Sequence, residues 1–159
     1  MARSSYQKEK ILALREILLR ESDEEHPLSS TQIIALLAKR GIEAERKSVY
    51  TDIEALREAG MDIVRSGEGR GSGYFAASRR FELPELKLLV DSVQSSKFIT
   101  AKKTRALIGK LEGLTSRHQA RDLSRQVYVT GRVKTMNESI YYNVDELHRA
   151  IAADRQIRF

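Results

Sequence analysis

Four glycines at alternate positions in residues 66–74, SGEGRGSGY, constrain the fold more than any other feature of the sequence. Glycine-rich polar stretches favour turns and weaken both helices and strands. The stretch is flanked by MDIV at residues 61–64 and GYFAA at residues 73–77, two short segments of strand-forming character. Two such segments joined by a glycine-rich loop predict a β-hairpin.

A loop that binds nucleotide phosphates is the alternative interpretation of this glycine run. Such loops lead directly into a helix, whose free N–H groups and dipole hold the anion. Here the loop leads into Tyr74 and Phe75, and Ser72 stands where the third glycine of G-x-G-x-x-G would fall. No Lys-Ser or Lys-Thr pair follows the glycines. We therefore expect a hairpin loop and no nucleotide cofactor.

Two amphipathic helices are predicted at the start of the chain. Residues 5–22 carry apolar residues at helical spacing, and the pattern ends before Pro27. A second helix follows Ser29, which is a good N-cap and forms a capping box with Gln32. Gly41 stands where a left-handed residue ends such a helix.

A third helix is predicted from Glu45, a poor N-cap, to Gly60. Its buried side is defined by the spacing of three apolar residues, Val49, Ile53 and Leu56. Two helices joined by a short turn form a helix-turn-helix, and a following hairpin forms its wing. We therefore expect a mostly α fold with a small β-hairpin, in which residues 1–80 are a winged helix-turn-helix that binds DNA.

The solvent side of the third helix is polar and divided along its length. It carries Lys47, Thr51, Glu54 and Glu58, with Arg46 and Tyr50 beside them. The basic and hydroxyl residues lie in the first half and the glutamates in the second half. Helix-turn-helix proteins contact bases mainly with the first turns of this helix, while Arg65 and Arg70 in the hairpin could meet phosphates. An ordinary solvated helix face would show similar charges, and charge alone does not separate the two interpretations.

The formal net charge of +6 is unevenly distributed along the chain. Residues 1–80 contain 14 Lys and Arg against 13 Asp and Glu, whereas residues 81–159 contain 14 against 9. A basic balance favours polyanionic partners such as nucleic acids. Because the excess lies outside the expected helix-turn-helix, a DNA-binding surface must be identified by where its charges point.

Residues 81–142 are expected to form an α-helical linker and dimerisation region. Pro84 opens one helix, Thr100 caps the next, and a third is predicted near residues 116–127. Residues 127–135 and 139–142 have extended character, and a last helix is predicted to begin at Asn143 or Asp145. The final residues, 157–159, alternate as at the beginning of a strand.

Two segments, KSVYTDIEALREAG at residues 47–60 and FELPELKLLVDSVQSSKFI at residues 81–99, carry a family resemblance. The chain resembles the beginning of bacterial WYL-domain transcriptional regulators, which combine a DeoR-like N-terminal winged helix, a helical linker and a C-terminal WYL domain. The resemblance implies that five residues face DNA, namely Arg46, Lys47, Ser48, Tyr50 and Thr51. It also implies that Asp52 ties the third helix to its neighbours. Such helices often carry threonine where this chain has Ser48.

Residues 143–159 resemble the segment that leads into a WYL domain, a small β-barrel proposed to sense ligands in this family. We expect them to be the lead-in helix and first strand residues of such a domain, whose ligand pocket falls outside this chain. No effector is therefore assigned. The resemblance makes double-stranded DNA the expected partner, and helix-turn-helix proteins usually bind it as symmetric dimers.

No catalytic or metal site is predicted. The chain has no cysteine, and its three histidines, at positions 26, 118 and 148, show no ligand spacing. Ser116, His118 and Asp122 contain the residue types of a catalytic triad, but they fall on one short helical stretch where residues two apart do not face each other. We expect a cytoplasmic protein that is neither an enzyme nor membrane-bound. The alternative to a DNA-binding regulator is a winged helix that contacts protein or RNA.

Overall fold

The computed structural model describes residues 2–67, 72–126, 134–137 and 139–158. Within these ranges the chain is mostly helical with one two-stranded antiparallel sheet, as the sequence predicts. The elements in chain order are α1 (Ala2–Glu21), α2 (Ser30–Ala38), α3 (Arg46–Glu58), β1 (Ile63–Ser66), β2 (Gly73–Ala76), α4 (Leu83–Ser95), α5 (Ala101–Glu112), α6 (Arg117–Gln126) and α7 (Ser139–Ala152). None of the described helices is long and apolar enough to cross a membrane.

The ends of α2 follow the signals in the sequence. The Ser29 hydroxyl accepts a hydrogen bond from the backbone N–H of Gln32 at 3.3 Å, and the Gln32 side chain accepts one from the Ser29 backbone N–H at 2.8 Å. This confirms the predicted capping box. Gly41, with a φ of 75°, turns the chain toward α3, which confirms the predicted left-handed residue.

The first hydrophobic core lies between α1, α2 and α3, with β1 closing one side. Its helical members are Leu14, Ile17, Leu18, Ile33, Leu37, Val49, Ile53 and Leu56. The predicted buried side of α3 is thus confirmed. The opposite side of α3 is exposed at Lys47, Thr51, Glu54 and Glu58.

The two strands form a hairpin that pairs Ile63 with Ala76 and Ser66 with Gly73 at its two ends. Leu28, between α1 and α2, adds a bridge to the other edge of β2: its N–H and C=O exchange hydrogen bonds of 2.9 and 2.8 Å with Tyr74. The sequence pattern did not predict this third β segment. It ties the hairpin to the start of α2.

Gly73 lies in the sheet at the point where the Pro27–Leu28 backbone crosses it. A Cβ atom at this position would meet Pro27 Cβ at 2.9 Å and the carbonyl carbons of Pro27 and Leu28 at 3.0 and 3.1 Å. Two of these atoms belong to the backbone and cannot turn away. This glycine is therefore needed for close packing within the sheet.

Gly73→Ala should lower the free energy of unfolding by about 1–3 kcal/mol, because the added methyl group forces the two backbones apart. Urea denaturation followed by circular dichroism measures the change. Gly109→Ala is the matched control, since its Cβ would meet nothing within 4 Å inside α5. That change should raise stability by about 0.5–1 kcal/mol through helix propensity. Equal effects of the two substitutions would contradict this interpretation of Gly73.

A second cluster of buried side chains lies between α4, α5 and α6. Its apolar members include Leu86, Val90, Ile108 and Leu123. The Thr100 hydroxyl accepts a hydrogen bond from the Lys103 N–H at 3.2 Å, which confirms the predicted cap of α5. The three predicted linker helices are therefore present.

The end of α1 joins the two clusters through polar contacts. Arg79 donates hydrogen bonds of 2.7 and 2.6 Å to the carbonyl oxygens of Leu19 and Ser22, so its guanidinium caps the last turn. Such a cation is favoured at the negative end of a helix. Arg117 of α6 pairs with Glu21 at 2.7 Å.

Asp23 is buried in this joint between α1 and α6. Burial acts to raise the pKa of its carboxyl group, but hydrogen bonds from the Ser116 hydroxyl and from His26 outweigh it and lower the pKa below its ordinary value. The imidazole of His26 stacks on that of His118, with ring centroids 3.8 Å apart. The connection between α1 and α2 therefore contacts α6 through the Asp23 carboxyl group and two stacked imidazole rings.

The region after α6 differs from the sequence predictions. Residues 139–142 are helical, and α7 begins at Ser139, so both the extended segment and the start at Asn143 or Asp145 are wrong. Helical spacing explains the difference, because Ile140 precedes Val144 by one turn and continues its apolar stripe. Residues 157 and 158, expected to open a strand, belong to no strand, and of the predicted extended residues 127–135 only 134 and 135 lie within the described part of the chain.

Candidate nucleic-acid interface

Four of the residues singled out on α3 lie on its solvent side. Arg46, Lys47, Tyr50 and Thr51 are all exposed, and Tyr50 keeps 41% of its surface accessible. They cover the first half of α3, where Lys47 and Thr51 lie opposite the buried Val49 and Arg46 and Tyr50 lie together on one flank. We call these four residues the leading face of α3.

The leading face lies beside the beginning of α2. Arg46 donates to the Thr31 hydroxyl at 3.4 Å, and the Tyr50 hydroxyl donates to Ser30 at 3.4 Å. These are long hydrogen bonds, so they orient the side chains without holding them tightly. Thr31 is exposed and extends the polar surface onto α2. This extension was not predicted from the sequence, although two hydroxyl residues directly after the N-cap Ser29 indicate it.

Lys47 and Thr51 stand one turn apart. The Thr51 hydroxyl donates to the Lys47 carbonyl at 3.1 Å, a bond within the helix, and the Thr51 side chain remains exposed. The ammonium group of Lys47 makes no hydrogen bond or ion pair with the described residues. An exposed cation in this state is available to an anionic partner.

The hairpin is fixed to α3 by a second set of contacts. The Tyr50 and Tyr74 rings lie 6.2 Å apart at an angle of 52°, which places an α3 side chain against β2. Arg57 donates to the Ile63 carbonyl at 2.8 Å, and its guanidinium lies 5.9 Å from the centre of the Tyr74 ring. The leading face and the hairpin therefore form one continuous surface.

The structure describes one of the two hairpin arginines that were proposed from the sequence. Arg65 is exposed on β1 and donates to the Ser72 hydroxyl at 3.1 Å across the hairpin. Arg70 lies outside the described residues. Arg65 alone thus belongs to the described surface.

Ser48 is placed apart from the leading face. It is half-buried, and its hydroxyl accepts a hydrogen bond from the ammonium group of Lys10 on α1. The same ammonium lies 2.9 Å from the carboxylate of Asp52, and Gln7 donates to that carboxylate at 2.9 Å. The expectation that Asp52 ties α3 to its neighbours is confirmed. Lys10, which holds both α3 side chains, was missed by the sequence analysis.

Charge changes sign along the solvent side of α3. Arg46 and Lys47 open the helix, whereas Glu54 and Glu58 are exposed in its second half. Arg57 pairs with Glu54 at 2.7 Å. A phosphate would be attracted to the first half and repelled by the second. The helix is thus electrostatically suited to approach a polyanion with its N-terminal end leading.

No metal site is found among the described residues, because no three of their acidic or histidine side chains lie close enough together to hold an ion. Ser116 and His118 do not form a reacting pair, because the Ser116 hydroxyl is buried and donates to Asp23.

Comparisons with known proteins identify no relative: no family model, no curated protein and no solved structure matches the chain.

Proposed function

We propose that the chain is a sequence-specific DNA-binding transcriptional regulator whose residues 1–80 act as a winged helix-turn-helix. Helices α2 and α3 would be the two helices of the motif, with the hairpin as its wing. The bridge between Leu28 and Tyr74 supports this arrangement, because it fixes the hairpin beside α2 and α3. The resemblance of residues 47–60 and 81–99 to WYL-domain regulators points to the same function.

The observation that carries the proposal is the leading face of α3. In such proteins the first turns of the second helix contact base edges in the major groove. Arg46 can donate two parallel hydrogen bonds to guanine, which is the commonest specific contact of this kind. Lys47 suits a phosphate or a base acceptor, and the Thr51 methyl group suits a thymine methyl. Tyr50 would stand at the edge of the groove.

The hairpin would contact the DNA backbone beside the groove. Arg65, with Arg70 in the same hairpin, would meet phosphates and add a salt-dependent contribution to affinity. Thr31 would lie against the DNA backbone, which the first helix of such motifs crosses. Phosphate contacts of this type set the register but carry no sequence information.

A second copy of the chain is the proposed protein partner. Symmetric dimers present two recognition helices to half-sites about 34–36 Å apart on one side of the DNA. The linker helices α4, α5 and α6 would supply the dimer contacts. A regulator of this type would act in the cytoplasm, where it meets the chromosome.

Selection of binding sites from random duplex DNA tests the proposal. The purified chain should enrich one sequence pattern with two related half-sites, and its affinity should fall as salt rises. The enriched duplex should be bound at least about a thousandfold more tightly than unrelated duplex. Enrichment of no sequence, together with equal binding of RNA or other polyanions, would contradict it. That result would favour the protein- or RNA-contact alternative.

A further inference from the structure

We infer that Lys10 of α1 is a positioning residue that sets the rotation of α3 about its axis, and through it the bases that α3 selects. The inference rests on the proposed function. It assigns to Lys10, Asp52 and Ser48 a role different from that of the leading face. These residues would not touch DNA but would determine which side chains do.

The contacts of Lys10 with Ser48 and Asp52 fix the rotation of α3 about its own axis. Lys10 and Asp52 are among the most buried charged side chains described, at 5% and 3% exposure, and their charged atoms lie 2.9 Å apart. Ser48 and Asp52 are four residues apart on α3, so both lie on the same side of the helix. The single ammonium group of Lys10 contacts both. It therefore holds two successive turns of α3 at once.

The apolar contacts of α3 do not fix this rotation equally well. Val49 and Ile53 contribute hydrophobic burial, which is non-directional. Hydrogen bonds and ion pairs depend strongly on distance and direction. Replacing a buried ion pair by neutral groups of similar shape often leaves the free energy of unfolding unchanged or raises it. Orientation, more than stability, is then what the pair contributes.

A small rotation would be enough to disturb recognition. Side-chain tips lie roughly 6 Å from the axis of an α-helix, so a rotation of about 20° displaces them by roughly 2 Å. A hydrogen bond to a base does not survive such a displacement. Phosphate contacts through long, flexible cations survive it more easily, because these side chains can follow. Specific binding should therefore suffer more than non-specific binding.

Four variants of the full chain separate orientation from stability. Lys10→Met removes one charge and leaves Asp52 buried without its cation. The double change Lys10→Met with Asp52→Asn removes both charges and keeps both shapes. Lys10→Arg restores the cation. Arg40→Met is the matched control, because it removes an exposed pair of the same 2.9 Å length, with Glu16, that joins α1 to the turn after α2.

The first readout is the ratio of affinities for the selected duplex and for an unrelated duplex. We expect the folded double variant to lose roughly tenfold or more of this ratio, the loss expected for one misplaced base contact. Its affinity for unrelated duplex should stay within about twofold, since its exposed cations are unchanged. Lys10→Arg should recover part of the ratio, and Arg40→Met should keep all of it. A double variant with the unchanged ratio would overturn the inference.

The second readout needs no DNA. The natural chain has no cysteine, so nitroxide labels can be placed at Leu12→Cys on α1 and Glu58→Cys on α3, both exposed positions. Double electron–electron resonance measures the distance between the two labels. Its distribution should shift or broaden when Lys10→Met and Asp52→Asn are added. An unchanged distribution would overturn the positioning role. If the natural chain selects no duplex, the proposed function fails, while this distance still decides whether Lys10 orients α3.

Discussion

Lys10→Met should lower the free energy of unfolding by about 3–5 kcal/mol, the loss typical when one partner of a buried ion pair is removed. The carboxylate of Asp52 would remain almost fully buried, and among the described side chains Gln7 would be its remaining hydrogen-bond donor. A small domain has roughly 5–15 kcal/mol of stability in total. Urea denaturation followed by circular dichroism should therefore show a much lower midpoint at an unchanged slope.

The double variant Lys10→Met with Asp52→Asn should regain most of this loss, because no buried charge is left unpaired. Arg40→Met should change stability by less than about 1 kcal/mol, since it removes a solvent-exposed pair. A double variant as unstable as the single one would show that the two charges do not act as a pair.

Lys47→Ala should weaken binding to the selected duplex by roughly tenfold at low salt. Its ammonium group lies at the leading end of α3 and makes no ion pair with the described residues, so its full charge is available to DNA. Loss of one phosphate contact should also reduce the slope of affinity against salt by about one. Fluorescence anisotropy with the labelled duplex at two or more salt concentrations measures both quantities.

Glu58→Ala is the matched control on the same helix. Its carboxylate is exposed at the other end of α3, where phosphate would be repelled. We expect affinity to stay unchanged or to rise slightly. Equal losses from Lys47→Ala and Glu58→Ala would contradict the proposed orientation of α3.

Local signals in the sequence predicted most of the fold around the site. The spacing of Val49, Ile53 and Leu56 identified the buried side of α3 and hence its opposite, exposed side. Ser29 and Gly41 marked the ends of α2, because capping and left-handed backbone depend on neighbouring residues alone. Such features need no knowledge of tertiary contacts.

Lys10 was missed because lysine on a predicted helix is normally taken to be solvated. The position of Lys10 nonetheless indicates burial, because Lys10 precedes Leu14 by four residues and Ile17 by seven and so lies on the apolar stripe of α1. A cation on such a stripe requires a buried anion. That anion is Asp52, which lies 42 positions later and could be identified only after α1 and α3 were packed together.

Other differences also arose from contacts distant in sequence. The bridge of Leu28 to Tyr74 involves one residue pair, which no periodicity can indicate. The need for Gly73 depends on the crossing of Pro27, 46 positions earlier. The misassigned residues 139–142 are strand-forming in isolation, but the helical stripe that begins at Ile140 prevails over that preference.

Photo-cross-linking tests the central claim, that α3 meets DNA with its N-terminal end, most directly. A benzophenone amino acid would replace Thr51 in one variant and Glu58 in another, each bound to the selected duplex. The account predicts efficient cross-links from position 51 to bases within the selected site and few from position 58. Cross-links from position 58 that equal or exceed those from position 51 would contradict it.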